Sequence, residues 1–156
     1  MSMHANLQPV AALVGTWRGP GNGHYPTIAD FSYTEELTFT DVGKPFLAYL
    51  QRTWSPDGAP MHTESGFLRV PGPETVEMTL AQPTGQTELA EGQLVSGGSE
   101  LRLELLARTM NSASAKHVQV TQRSYRISGQ ELHTDFAMAA VGQPLTHHLT
   151  SRLSRV

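Results

Sequence analysis

Polar and apolar residues alternate along most of this chain. In the run Leu132-His133-Thr134-Asp135-Phe136-Ala137-Met138-Ala139-Ala140, one face carries Leu132, Thr134, Phe136, Met138 and Ala140. The other carries His133, Asp135, Ala137 and Ala139, the period of two expected of a strand with one face turned inward. The same period predicts strands over residues 32–40, 46–54, 62–70, 75–81, 87–95, 100–107, 118–127, 132–140 and 147–153, with a first strand around 15–19. A short helical turn over 11–14 precedes them. Turn chemistry separates the strands: Gly43-Lys44-Pro45, Pro56-Asp57-Gly58, Pro71-Gly72-Pro73, Ser96-Gly97-Gly98 and Ser128-Gly129. No amphipathic segment of helix length intervenes, so the topology is up-and-down and antiparallel rather than built of βαβ units. About ten strands in one small all-β domain predict closure into a barrel, which removes exposed edges and leaves an interior wide enough for a ligand.

Composition narrows the field. A chain of 156 residues is expected to form one barrel domain over 11–156, after a flexible tail over 1–10. The net charge is −3 without a Lys/Arg run, so neither nucleic acid nor an anionic membrane is an expected partner. The absence of cysteine excludes disulfides, thiolate metal sites, thiol nucleophiles and covalent haem attachment. Residues 1–8 do not read as a signal peptide and no apolar run reaches spanning length, so a cytoplasmic protein is expected.

Candidate chemistry lies in a glycine run and in histidine. The run Gly15-Thr16-Trp17-Arg18-Gly19-Pro20-Gly21-Asn22-Gly23-His24-Tyr25-Pro26 places Gly19, Gly21 and Gly23 in alternation. Without Cβ atoms, that face admits another strand, a bulky side chain or a flat ligand. It lacks a following helix and a Gly-Lys-Ser/Thr ending, so it is no phosphate loop. No G-x-S-x-G occurs, and Glu35, Glu36, Glu88 and Glu91 read as solvated strand residues. Of seven histidines, His4 falls in the expected tail, and His117 and His133 on solvated faces or turns. His62 has no partner at a chelating spacing. His147 and His148 point to opposite faces of one strand, so at most one enters the barrel. A single histidine cannot hold zinc, which wants three or four protein ligands, but it can hold haem iron, whose macrocycle supplies four.

Several motifs together resemble the nitrobindin family. They are G-x-W-x-G-x-G-x-Y-P at 15–26, Gly43-Lys44-Pro45, Met61-His62-x-Glu64-x-Gly66, Leu80-Ala81-Gln82-Pro83-Thr84-Gly85, and the closing Met138-Ala139 with Gln143-Pro144-Leu145-Thr146-His147-His148-Leu149. The resemblance implies a ten-stranded antiparallel barrel, lipocalin- or fatty-acid-binding-like, that holds one b-type haem noncovalently. It implies binding of nitric oxide and isomerisation of peroxynitrite to nitrate on ferric iron, an enzyme that detoxifies or senses reactive nitrogen species. By position it implies His148 as axial ligand and catalytic centre, with Met138, Met61, His62 and Gln82 lining the pocket. Lys116 is placed at a propionate, and Gly19, Gly21 and Gly23 against the cofactor. Strict alternation, however, puts Leu149 and Leu153 on the face of His147. A bulge reconciles the two assignments, as do leucines packed outside against a homodimer partner. The competing reading is a carrier of a small apolar ligand without catalysis.

Overall fold

The computed structural model describes residues 2–156. Ten strands follow one another without an intervening helix: β1 (Gly15–Tyr25), β2 (Ile28–Lys44), β3 (Phe46–Trp54), β4 (Pro60–Gly72), β5 (Thr75–Ala81), β6 (Gln86–Gly97), β7 (Glu100–Asn111), β8 (Val118–Ser128), β9 (Glu131–Ala140) and β10 (Thr146–Arg155). Each pairs antiparallel with the next, and β10 pairs with β1 to close the barrel. This is the ten-stranded up-and-down architecture expected from the alternation. Several strands run past their expected ends, β2 and β1 most of all, because pairing extends through irregular register at Asp41/Lys44 and Gly23/Tyr25. Among the described residues, no helix is long and apolar enough to cross a membrane.

The two ends of the barrel differ. Where β1 begins and β10 finishes, Trp17, Leu37, Phe39, Leu47, Leu132 and Leu153 form a dry core. The expected tail over 1–10 is overturned here, because a 3₁₀ helix runs over Ala5–Leu13 and buries Leu7, Val10 and Leu13 completely. Burial of that apolar stripe outweighs the poor intrinsic stability of a short 3₁₀ helix, at about 1.5–3 kcal/mol per side chain. His4 belongs to this structure too: its Nδ1 accepts from the Asn6 backbone N–H (3.2 Å). Trp17 Nε1 donates to Leu13 O (2.8 Å), and the Arg155 guanidinium lies 4.1 Å from the Trp17 ring centre while donating to the carbonyls of Val14 and Ala12 (2.7 Å each). Met1 lies outside the described residues.

The glycine run in β1 lets its neighbours approach closely. Gly21 pairs with Tyr33 and Gly23 with Phe31 of β2, and each ring lies flat across its glycine, where a Cβ would collide with ring carbons. At Gly19 a Cβ would strike the Arg152 carbonyl of β10. The large object pressed against this face is thus the protein's own aromatic pair and neighbouring strand.

Candidate functional site

The open end, where β1 finishes and β10 begins, holds a cavity of about 670 Å³. Its outer part is lined by Tyr25, Phe31, Met61, Phe136, Met138 and His148, its inner part by Glu35, Tyr49, Gln51, Glu64, Glu88 and Arg123.

A one-residue slip in the β9–β10 ladder brings His148 inside. His147 pairs with Ala137, yet Leu149 already pairs with Phe136, so one residue of β10 is left over between them. This bulge lets His148 and Leu149 both face the cavity, and it answers the parity conflict between His147 and His148. Leu149 lines the cavity and Leu153 is fully buried, so the bulge, not leucines packed outside, reconciles the two assignments. His148 Nδ1 donates to the His24 carbonyl (2.8 Å), fixing the tautomer and leaving Nε2 with its lone pair. Burial holds the imidazole below its ordinary pKa, so it is neutral at pH 7. The rings of Tyr25, Phe31 and Phe136 surround it at 5.2, 6.1 and 6.2 Å between centroids. Tyr25 reaches over β10 to donate to Met138 O (2.9 Å) and accept from the Ala140 N–H (3.1 Å), clasping both neighbours of the bulged strand.

His147 points to the rim. Its Nε2 donates to Asp135 Oδ1 (3.0 Å), and its Nδ1 shares a hydrogen bond with His24 Nε2 (3.3 Å). Asp135, His147 and His24 thereby form a chain that steadies the residue whose carbonyl holds His148.

Beneath the mouth lies a buried ionic network. The Arg123 guanidinium donates to Glu64 Oε1 and Oε2 (2.6 and 2.9 Å) and to Glu88 Oε1 and Oε2 (3.1 and 2.7 Å). Burial works to raise the Glu64 carboxyl, but Arg123 beside it holds it below its ordinary value. Gln82 Nε2 donates to both carboxylates (2.5 and 2.8 Å), which turns Gln82 Oε1 toward His62. His62 Nε2 must therefore be the donor in the 2.7 Å contact between them. Tyr49 donates to Glu64 Oε1 (2.8 Å), and burial pushes the Tyr49 phenol well up.

The cavity thus gathers Met61, His62, Gln82, Met138 and His148 from β4, the β5–β6 turn, β9 and β10. Lys116 is exposed at the mouth in the β7–β8 loop, whose backbone is tied down by Gln86 Nε2 donating to Lys116 O (2.9 Å). Gly19, Gly21 and Gly23 do not line the cavity; Gly21 and Gly23 act on it through Tyr33 and Phe31, which do. Glu35 and Glu88, expected on solvated faces, are instead buried at 4 % and 5 % exposure. The missed signal was parity: Glu35 alternates in step with Leu37 and Phe39, Glu88 with Ala90, and Arg123 with Tyr125 and Ile127. A charge in register with a buried apolar series marks an interior charge.

Comparison with known proteins decides the family. Residues 6–155 match the family described as the THAP4-like, heme-binding β-barrel domain. The chain is 47 % identical over 157 residues to a peroxynitrite isomerase of Nocardia farcinica, covering 99 % of this chain and 94 % of that protein. It is 46 % identical over 155 residues to peroxynitrite isomerase 2 of Mycobacterium marinum, covering 98 % and 96 %. The crystal structure of Rv2717c from M. tuberculosis superposes with a TM-score of 0.97 at 44 % identity, covering 99 % of each chain. The chain belongs to the THAP4-like haem-binding barrel family.

The residues fit a haem. A haem-binding barrel needs one neutral imidazole with a free nitrogen, and His148 offers Nε2. It needs a roomy, aromatic-lined cleft, and 670 Å³ walled by Phe31, Phe136 and Met138 falls within the range for such ligands. Among the described residues, no group of three His, Asp or Glu side chains could hold a bare metal ion.

Proposed function

We propose that this chain is a peroxynitrite isomerase that holds one noncovalent b-type haem through His148 and also binds nitric oxide, acting in the cytoplasm. The observation that carries the reading is the bulge that turns a single neutral imidazole into a large aromatic cavity. The names of the relatives support the reaction. When bound, the haem would supply a Lewis-acidic, redox-active iron for the isomerisation of a small anion, a conversion that needs no external reductant.

The chain's own part is placement. His148 Nε2 would hold the iron, and the His24 carbonyl fixes the orientation of its ring. Met138, Met61 and Phe136 offer soft apolar contact to the macrocycle, and Phe31 and Tyr33 hold their positions because Gly23 and Gly21 make room for them. Lys116 at the mouth supplies a cation for a propionate. His62 is held on the cavity wall by its Nε2–H donating to Gln82 Oε1. A purely apolar carrier would have no use for the buried Arg123 network, which weighs against that alternative.

Haemin titration tests the reading. The wild type and His147→Ala are expected to develop a Soret band of equal intensity, and His148→Ala to lose it. Persistence of the band in His148→Ala and its loss in His147→Ala would reassign the ligand. Stopped-flow decay of peroxynitrite no faster with ferric protein than with buffer would remove the enzymatic part while leaving haem binding intact.

A further inference from the structure

Three polar side chains meet on the rim of the open end, away from the buried ionic network. His24 comes from β1, His147 from β10 and Asp135 from β9, neighbouring strands on the two sides of the seam that closes the barrel. His24 is exposed, and the side chains of His147 and Asp135 are 41 % and 50 % exposed. The β1–β10 ladder runs no further than Gly23 and Leu149, so His24 stands just past its last pair. There His24 Nε2 faces His147 Nδ1 at 3.3 Å. A straight N–H···N bond of that length would set the ring centres about 5.6 Å apart. They stand 5.0 Å apart with their planes tilted by 34°, so the rings are bent off the line that joins the nitrogens, as two ligands of one ion are. Two nitrogens each about 2.1 Å from a tetrahedral ion lie about 3.4 Å apart, close to the spacing found here. Asp135 Oδ1 takes the Nε2–H of the same His147 (3.0 Å), the carboxylate–imidazole pairing that orients a ligating histidine and raises its basicity. Nδ1 is thus the His147 nitrogen left for a ligand.

We propose that His24 Nε2 and His147 Nδ1 form a rim site for a divalent transition metal of the zinc class, with Asp135 as positioning residue and water completing the coordination shell. Imidazole nitrogen suits zinc, copper and nickel, whereas calcium and magnesium take oxygen ligands. Asp135 is no third ligand, because it lies on the far nitrogen of His147. Two protein ligands with open positions make an exchangeable site, not the closed four-ligand centre of a structural zinc. On binding, the contact between the rings gives way to two metal–nitrogen bonds, and the His24 ring carries its proton on Nδ1. No electron moves. The filled site adds a tie across the β1–β10 seam just past its last ladder pair, on the residue whose carbonyl holds His148 Nδ1. Neither His24 nor His147 lines the cavity, so the site does not rest on the haem reading.

Calorimetric titration with zinc chloride tests the site. The haem-loaded wild type is expected to take up one zinc ion per chain saturably, and His148→Ala to do the same without haem. His24→Gln and His147→Gln keep a side chain able to hydrogen-bond but lose the imidazole, and each should abolish the uptake. Asp135→Asn should weaken it about 10–100-fold. By mass action, zinc should also raise the urea midpoint of the wild type and leave those of both glutamine variants where they are. Absence of saturable uptake by the wild type, or its survival in either glutamine variant, would overturn the site. Uptake lost in His148→Ala would move the zinc into the cavity and overturn it equally. Wild-type affinity in Asp135→Asn would remove the positioning role. Failure of haem binding would show as a missing Soret band in the loaded samples and leave the zinc result of His148→Ala standing.

Discussion

At the scale of single residues, the decisive fact is how little space is spare between Phe31, a neighbour of His148, and Gly23. Phe31 packs 6.1 Å from its ring and lies across Gly23, which has no room for even one methyl group. Gly23→Ala is therefore expected to push Phe31 toward the cavity, costing about 1–3 kcal/mol in urea unfolding through overpacking. It should also weaken haemin binding, although residue 23 touches no ligand. Unchanged haemin affinity with lowered stability would separate the two effects. His148 teaches the complementary lesson about legibility. Its candidacy as a haem ligand was readable, because one imidazole in a barrel suits haem better than a bare metal ion. Its orientation was not, because parity is a property of a regular ladder, and the slip between His147 and Leu149 exists only in the pairing with β9.

At the scale of elements, β4, β6 and β8 each contribute one charged residue to a common point, and no strand carries the pattern alone. The strands themselves were legible from alternation and turns. The convergence of Glu64, Glu88 and Arg123 was not, because they are separated by tens of residues and meet only after closure. Arg123→Ala leaves two buried carboxylates without their partner, so a loss of about 3–5 kcal/mol is expected at neutral pH. The loss should shrink as pH falls and the orphaned carboxyls take up protons, which denaturant titrations at two pH values would detect. The short helix over Ala5–Leu13 was misjudged for a related reason. Its periodicity is weak, and only the open base of the barrel gives Leu7, Val10 and Leu13 a place to be buried.

At the scale of the whole molecule, the Glu35 carboxyl, pushed up by burial and by Glu64, makes stability depend on pH in a predictable sense. Between the ordinary value of 4.5 and about 7, the folded chain binds a proton that the unfolded chain releases. The contribution is full below about 4.5, declines as pH rises, and is lost above about 7, a span of about 3 kcal/mol. Glu35→Gln should flatten this part of the profile, so the variant gains on the wild type as pH rises; a widening deficit at high pH would contradict the assignment. A last consequence follows from the seam between β1 and β10. During synthesis the first strand must wait, its edge unmatched, until the tenth has left the ribosome. The strand that finally covers that edge is also the one that carries His148. Closure and delivery of that imidazole to the cavity therefore arrive in the same event, and a nascent chain stalled before its tenth strand has neither.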